Sequence, residues 1–302
     1  MPADWSDLLG RRGDPVPGPY PVGAAALGYL AEALEDERLA TAVEAGGDVP
    51  VPLSFVTVAS RVPNWRPKSA AGHGSIMLAM SVPVQADSAV NVAVDQTYRT
   101  PLRLGDRVTS TSVLTGVEER ETRLGPGFMI TETIEHSVPG TGVVARTANT
   151  VFRFRARPTS SAGAGEDAPA TIPESDFEPV VLPVTMTRLA LAAGAMRDYS
   201  PIHHDVDAAR AAGHPTAFLN YTFQMALMLR ALGEWTGTDR RVRRLRLRLR
   251  RPVYLGRTVS CTGVRDPAGP AVRVGLHTED GLCSTAVADL HLDDEDAPWT
   301  ST

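Results

Sequence analysis

Asp198 and His203 stand five residues apart in Arg197-Asp-Tyr-Ser-Pro-Ile-His-His-Asp205, an Asp-x-x-x-x-His spacing built around Pro201. Histidine carries the side chain whose ordinary pKa lies nearest physiological pH, and a carboxylate adds a second proton-binding group of different basicity. Held on one water or hydroxyl, the two can add water to a substrate or remove it. Pro201 cannot lie inside a helix, because it lacks an N–H and its ring collides with the preceding turn. The spacing therefore predicts a helix over Thr185 to Met196 with Asp198 near its end, a turn at Ser200-Pro201, and His203 on the loop beyond. An Asp capping the turn and a solvent-facing His fit the same spacing, so spacing alone leaves a structural reading beside the catalytic one.

Nearby residues have plainer roles. Asp198, His203, His204 and Asp205 together have the composition of a metal site, but sequence neighbours rarely converge on one ion, and no metal is expected. Arg197 and Arg210 are expected to form local ion pairs or frame a pocket mouth. The two cysteines, Cys261 and Cys283, show no CxxC spacing and read as reduced, partly buried thiols.

The elements that must position this segment follow from patterning. Residues 156–175 are dominated by Ala, Pro, Gly, Ser and acidic side chains and read as a linker between a domain over 1–155 and another over 176–302. Before the linker, Val94 to Thr115, Phe128 to Ser137 and Val143 to Phe154 have the Val/Thr/Ile/Phe alternation of strands. After it, Arg241 to Tyr254, Thr258 to Val264, Ala271 to Thr278 and Cys283 to Leu292 repeat the signature. Two short matches point to duplication: Arg99-Thr-Pro-Leu-Arg-Leu-Gly105 with Arg250-Arg-Pro-Val-Tyr-Leu-Gly256, and Pro52-Leu-Ser-Phe55 with Pro215-Thr-Ala-Phe218. Ala217 to Leu232 is apolar almost all round, and a helix of that kind must be enclosed. The economical architecture is α+β, a curved antiparallel sheet wrapped around a buried helix, made twice and packed together.

At 302 residues, 43% hydrophobic and 22% charged, the chain has the composition of a soluble globular protein. A net charge of −5 gives no general attraction to nucleic acid. No run is apolar and long enough to span a bilayer, and the first residues lack a secretory pattern, so a cytoplasmic protein is expected.

Asp198-Tyr-Ser-Pro-Ile-His203, with Ala208, Gly213 and the apolar helix behind them, resembles the Asp-x-Asn-Pro-(Leu/Ile/Val)-His signature of the MaoC-like, (R)-specific enoyl-CoA hydratase and 3-hydroxyacyl-thioester dehydratase family. The first half, with Trp65, Gly105-Asp106-Arg107 and Glu118-Glu-Arg-Glu-Thr-Arg123, looks like the FAS1-like dehydratase domain that precedes it in two-domain members. The resemblance implies a double hot-dog fold and reversible hydration of a 2-enoyl thioester, with Asp198 and His203 sharing the proton transfers. It implies no cofactor beyond the coenzyme A or phosphopantetheine of an acyl-CoA or acyl-carrier-protein substrate. It also implies a backbone N–H at the start of the buried helix, aimed at the thioester oxygen where negative charge collects; counting from His203 places Tyr221 there. A helix terminus offers that donor whatever the side chain, although plain core packing also suits a tyrosine.

Ser200 replaces the usual asparagine and can make similar, weaker bonds within the turn. In the first half, Asp36-Glu-Arg-Leu-Ala-Thr41 lies opposite the motif but has neither proline nor histidine, so that half is expected to be catalytically silent, as a pocket wall or a purely structural unit. Arg246, Arg248 and Arg250 alternate with Leu245, Leu247 and Leu249 on one strand. They form either a solvated face or a dock for the phosphates of the thioester carrier. Two other readings stand: a non-catalytic acyl-binding or partner subunit, and an isomerase or thioesterase on the same scaffold. Hydrolysis normally calls for an acid on the buried helix, and Ala217 to Gly233 has none. By family analogy a homodimer, or a complex with a related hot-dog subunit, is expected.

Overall fold

The computed structural model describes residues 5–47, 49–62, 77–155 and 174–291. The first half runs through strand β1 (Val16–Pro17), helices α1 (Ala24–Leu34), α2 (Glu37–Ala45) and α3 (Phe55–Ser60), then strands β2 (Ser88–Tyr98), β3 (Thr109–Thr122), β4 (Gly125–Val138) and β5 (Gly142–Phe154). The second half repeats the order with β6 (Val180–Pro183), α4 (Met186–Ala195), α5 (Val206–Ala211) and α6 (Tyr221–Thr236), then β7 (Val242–Leu249), β8 (Thr258–Arg265), β9 (Ala271–Thr278) and β10 (Gly281–Leu290). The expected linker lies outside the described residues except for 174 and 175, as does Trp65.

The strands form one sheet in the order β1-β3-β4-β5-β2-β7-β10-β9-β8-β6. Exchanging each strand for its counterpart (β1 for β6, β2 for β7, and so on) turns this order into its own reverse, which is the mark of duplication. The two expected sheets are fused edge to edge along a β2–β7 seam, where Ala93 to Thr97 pair antiparallel with Arg248 to Arg244. Arg244 donates two bonds to Asp95 across it, at 2.7 and 2.5 Å. A second tie crosses at α1 and α4: the buried Arg188 donates to the Ala33 carbonyl at 2.7 Å and pairs with Glu35.

Local geometry repeats with the strands. Gly105 and Gly256 have φ of +87 and +85°, in the left-handed region that favours glycine. Their N–H groups donate to Val22 and Val184, each at 2.9 Å and each just before the first long helix of its half. Those helices both end on a left-handed non-glycine residue, Glu35 at φ 56° and Arg197 at φ 53°. The following N–H then folds back, Asp36 to the Ala31 carbonyl and Asp198 to that of Ala193, each at 2.9 Å. Asp36 and Asp198 are therefore structural equivalents, as expected.

Three expectations need correction. Val94 to Thr115 is two strands, because the turn holding Gly105 interrupts it. The Phe55 and Phe218 motifs are not equivalent: Phe55 opens α3, whereas Phe218 bridges Tyr254 in extended backbone. The buried helix also begins at Tyr221, where the resemblance places its start, and not at Ala217, where the apolar stretch opens. The apolar pattern runs on without a break, but the backbone of 217–219 is spent on bonds to 253 and 255, and the Asn220 side chain caps the Phe223 N–H at 2.7 Å.

Once started, α6 runs sixteen residues, with Phe223, Met225, Leu227, Met228 and Leu232 all fully buried. At roughly 1.5–3 kcal/mol for each such side chain, this helix dominates the second core. It packs on Leu245, Leu247, Val259, Val274 and Leu276 of the sheet. In the first half the corresponding helix, α3, has only six residues, and the sheet opposite it carries buried Gln96, Glu132, His136 and Asn149. Cys261 and Cys283 are free and buried. Among the described residues no helix is long and apolar enough to cross a membrane.

Neither Gly105 nor Gly256 has an atom within 4 Å of where a Cβ would stand, so replacing either by alanine tests backbone conformation alone. Gly105→Ala and Gly256→Ala are expected to destabilise by about 1–2 kcal/mol each, and by similar amounts, in urea unfolding. A much larger cost for one than for the other would break their equivalence.

Candidate active site

The motif takes its shape from a helix end, a turn and a second cap. Thr185 caps α4 by accepting from the Arg188 N–H at 3.1 Å, and the left-handed Arg197 turns the chain so that Asp198 points inward. Pro201–His203 forms a single 3-10 turn, closed by His203 N–H to the Ser200 carbonyl at 3.0 Å and Asp205 N–H to that of Pro201 at 2.8 Å. The Ser200 side chain makes no capping bond, contrary to expectation. Capping falls to Asp205, whose carboxylate accepts from the N–H groups of Asp207 and Ala208 at the start of α5. Gly213, at φ +87°, ends α5 and sends the chain toward Phe218.

His203 is partly buried and bonds through Nδ1 to the Phe218 carbonyl at 2.9 Å. A carbonyl only accepts, so Nδ1 carries the proton and Nε2 of the neutral ring is left with its lone pair. Burial holds the imidazole pKa below its ordinary 6.5, and the Asp198 carboxylate partly opposes that shift. The His203 ring meets Phe218 edge-on at 4.9 Å, and His214 and Tyr254 continue the wall behind it.

Asp198 is not a turn cap. Its partner is Arg61, just past the end of α3 in the first half, with N···O at 3.2 Å and both side chains mostly buried. The same guanidinium interacts with the Tyr221 hydroxyl, whose pKa burial raises. Tyr221 packs its ring on the core and is the first residue of α6, where the helix itself leaves the N–H without an acceptor. Arg197 lies over the Tyr20 ring at 5.1 Å, a second contribution from the first half. Asp198, His203, Tyr221 and Arg61 thus come together where the halves meet, at the amino-terminal end of the buried helix.

Other candidates are placed elsewhere. Arg246 donates two bonds to Asp289, at 2.7 and 2.8 Å. Arg248 and Arg250 are exposed, on the sheet face opposite the one that packs α6. Asp205 is used as a cap and His204 lies near the Tyr199 carbonyl, and among the described residues no cluster of His, Cys, Asp or Glu could hold a metal. Arg210 pairs with Asp207 at 3.5 Å. In the first half, Asp36 spends its carboxylate on capping α2. The helix does carry one acid beyond the apolar stretch, Glu234, but it sits near the far end and is paired with Arg230. Sequence reading missed Arg61, because nothing local to Ser60-Arg61 marks it; only the packing of one half on the other brings it to Asp198.

The opposing influences on His203 can be measured. Its imidazole is expected to titrate below 6.5 by NMR. Asp198→Asn, which removes the charge that holds the pKa up, should lower it further, and Arg61→Gln should raise it. Shifts of the same sign in both variants would contradict the arrangement.

Comparison with known proteins agrees with this architecture. Residues 20–145 match the family model described as a FAS1-like dehydratase domain region, and residues 170–268 match the MaoC like domain. The 3-oxo-4,17-pregnadiene-20-carboxyl-CoA hydratase beta subunit of Mycobacterium tuberculosis is 34% identical over 77 residues, a match that spans 26% of this chain and 60% of that protein. A MaoC-like dehydratase from Phytophthora capsici superposes with a TM-score of 0.72 at 15% identity, over 96% of this chain and all of that one. A Mycobacterium tuberculosis protein described as having a double hotdog fold superposes with a TM-score of 0.55 at 13% identity, over 95% and 98% of the two chains. The chain thus carries a FAS1-like dehydratase domain region followed by a MaoC like domain, on one duplicated sheet with the double hot-dog fold.

Proposed function

We propose that this protein catalyses the reversible hydration of a 2-enoyl thioester, with Asp198 and His203 as the residues that handle the water. The observation that carries the reading is the neutral His203 ring, with Nδ1 held by the Phe218 carbonyl and Nε2 left as a base beside a carboxylate. In the hydration direction Nε2 takes a proton from water as the water oxygen bonds to C3 of the enoyl group. The C2–C3 π electrons move toward the thioester, and the charge on its oxygen is met by the Tyr221 N–H at the positive end of α6. The imidazolium, stabilised beside Asp198, returns its proton to C2. The enzyme ends unchanged, and the reverse sequence expels water.

Arg61 supports this by keeping Asp198 in one place. The first half contributes Arg61 and Tyr20 but no acid/base pair of its own, since Asp36 is a helix cap. The substrate is an acyl thioester of coenzyme A or a carrier protein, and the reaction needs no cofactor. A second copy or a related hot-dog subunit is the partner we favour, and we place the protein in the cytoplasm.

One observation favours a second reading: the curated relative is the beta subunit of a hydratase. In that reading the chain binds acyl thioesters as the partner of a catalytic subunit. Turnover of 2-enoyl-CoA thioesters, followed by loss of enoyl absorbance, separates the two. Wild type is expected to hydrate at least one, and Asp198→Asn and His203→Ala each to lose about a hundredfold or more in kcat/KM. Folded wild type that binds the thioesters and turns over none would favour the partner subunit.

A further inference from the structure

Glu35 closes α1 and Arg197 closes α4, both in the left-handed region at φ 56 and 53°. A side chain in that conformation costs free energy that glycine does not, and helices commonly end on glycine for that reason. A strained residue persists where its surroundings hold it, and here both are held from the opposite half. Glu35 pairs with the buried Arg188 of α4. Arg197 lies over the ring of Tyr20, 5.1 Å from its centroid, and interacts with the hydroxyl of Tyr199.

Tyr20 is 61% exposed, yet the segment that carries it is fixed. Arg107 donates to the carbonyls of Gly18 and Pro19 at 3.1 and 2.9 Å, and the Gly18 N–H donates to that of Val108 at 2.6 Å. A Cβ on Gly18 would stand 2.2 Å from the Ala59 carbonyl oxygen, so glycine is what lets this segment lie against the end of α3. Arg61 leaves from the same end. The first half therefore reaches the motif with two side chains from one base: Arg61 meets the Asp198 carboxylate, and Tyr20 meets the side chain of the residue before it. The Asp198 N–H is tied in turn to the Ala193 carbonyl at 2.9 Å, a bond that the left-handed turn at 197 makes possible.

We infer that Tyr20 and Arg197 are positioning residues: the ring holds the guanidinium, the guanidinium holds the left-handed turn, and the turn aims Asp198 at the water it shares with His203. The strain at 197 is retained because a glycine there would leave the turn without its tie to the first half. The inference rests on the functional reading for its effect on turnover, and on geometry alone for its effect on Asp198.

Arg197→Gly separates position from stability, because glycine relieves the strain while removing the clamp. Its urea midpoint is expected to be no lower than that of wild type, while kcat for 2-enoyl-CoA hydration falls about tenfold with KM little changed. Tyr20→Ala should show the same loss, and Tyr20→Phe, which keeps the ring face, should not. NMR titration of His203 reads the position of Asp198 without turnover. The charges felt at that imidazole among the described residues are those of Asp198, Arg61, His204 and His214. Removing the Arg197 cation could by itself only raise the His203 pKa, whereas a displaced Asp198 lowers it, toward the value in Asp198→Asn. The expected result is a fall in Arg197→Gly and Tyr20→Ala and none in Tyr20→Phe or in Glu35→Gly, the matching change in the other half. An unchanged or raised pKa in Arg197→Gly would overturn the assignment, as would an equal fall in Tyr20→Phe and Tyr20→Ala, an undiminished kcat in an active enzyme, or stability and turnover lost together in Arg197→Gly. If wild type hydrates no enoyl thioester, the functional reading fails and the titration still decides the positioning role.

Discussion

A helix that is apolar around its whole circumference cannot rest on a surface; it has to be enclosed, and α6 imposes that requirement on the second half. The sheet from β7 to β10 supplies one side of the enclosure, and α1 packs against the helix from the other half. Because the body of the helix is sealed in hydrocarbon, its amino-terminal end is where donor groups remain for a ligand. Asn220 takes care of the Phe223 N–H and leaves Tyr221 at the terminus, beside the turn that carries Asp198 and His203. The position of the candidate site is thus a consequence of burying the helix, with the polar residues gathered where the enclosure ends.

The first half keeps the plan but relaxes that constraint. Its central helix is a single short segment, so the sheet facing it need not be apolar, and polar side chains have taken those positions. What it lends to the other half is reach. Arg61 leaves α3 and contacts Asp198, Tyr20 lies under Arg197, and Arg188 of α4 is bound by the main chain of α1. A charged pair such as Arg61–Asp198, largely removed from solvent, is strongly destabilising to break from one side, since the remaining charge is left without its partner. The two halves are therefore coupled through the site as well as through the seam.

Much of this was legible in the chain. Strand patterning located β4, β5 and β8 to β10 closely and carried β7 past its end at Leu249, and the Gly105 and Gly256 motifs marked the duplication since both turns hold a left-handed residue. Around Asp198 and His203, Pro201 made the turn legible, whereas the reading of the two residues as a pair came from the resemblance of the segment to a family signature and not from its spacing. Other features depended on information that patterning does not hold. The apolar pattern alone opens the α6 stretch at Ala217, ahead of the helix, because hydrophobicity continues through a bridge that only tertiary pairing creates. The pairing of Arg246 with Asp289 was not legible, because an alternating strand does not disclose what lies on its neighbour. Arg61 could not be found at all, since its partner is 137 residues away in the chain and meets it only when the halves dock.

The β2–β7 seam has a consequence of another kind. Two identical hot-dog subunits pairing edge to edge would be held by an equilibrium that dilution weakens, and any substitution would appear on both sides at once. Here the seam is intramolecular, so its strength is independent of protein concentration, and each side of it accumulates changes alone. Covalent linkage has made the pseudo-twofold axis one of ancestry only, and the two halves are free to diverge on either side of it.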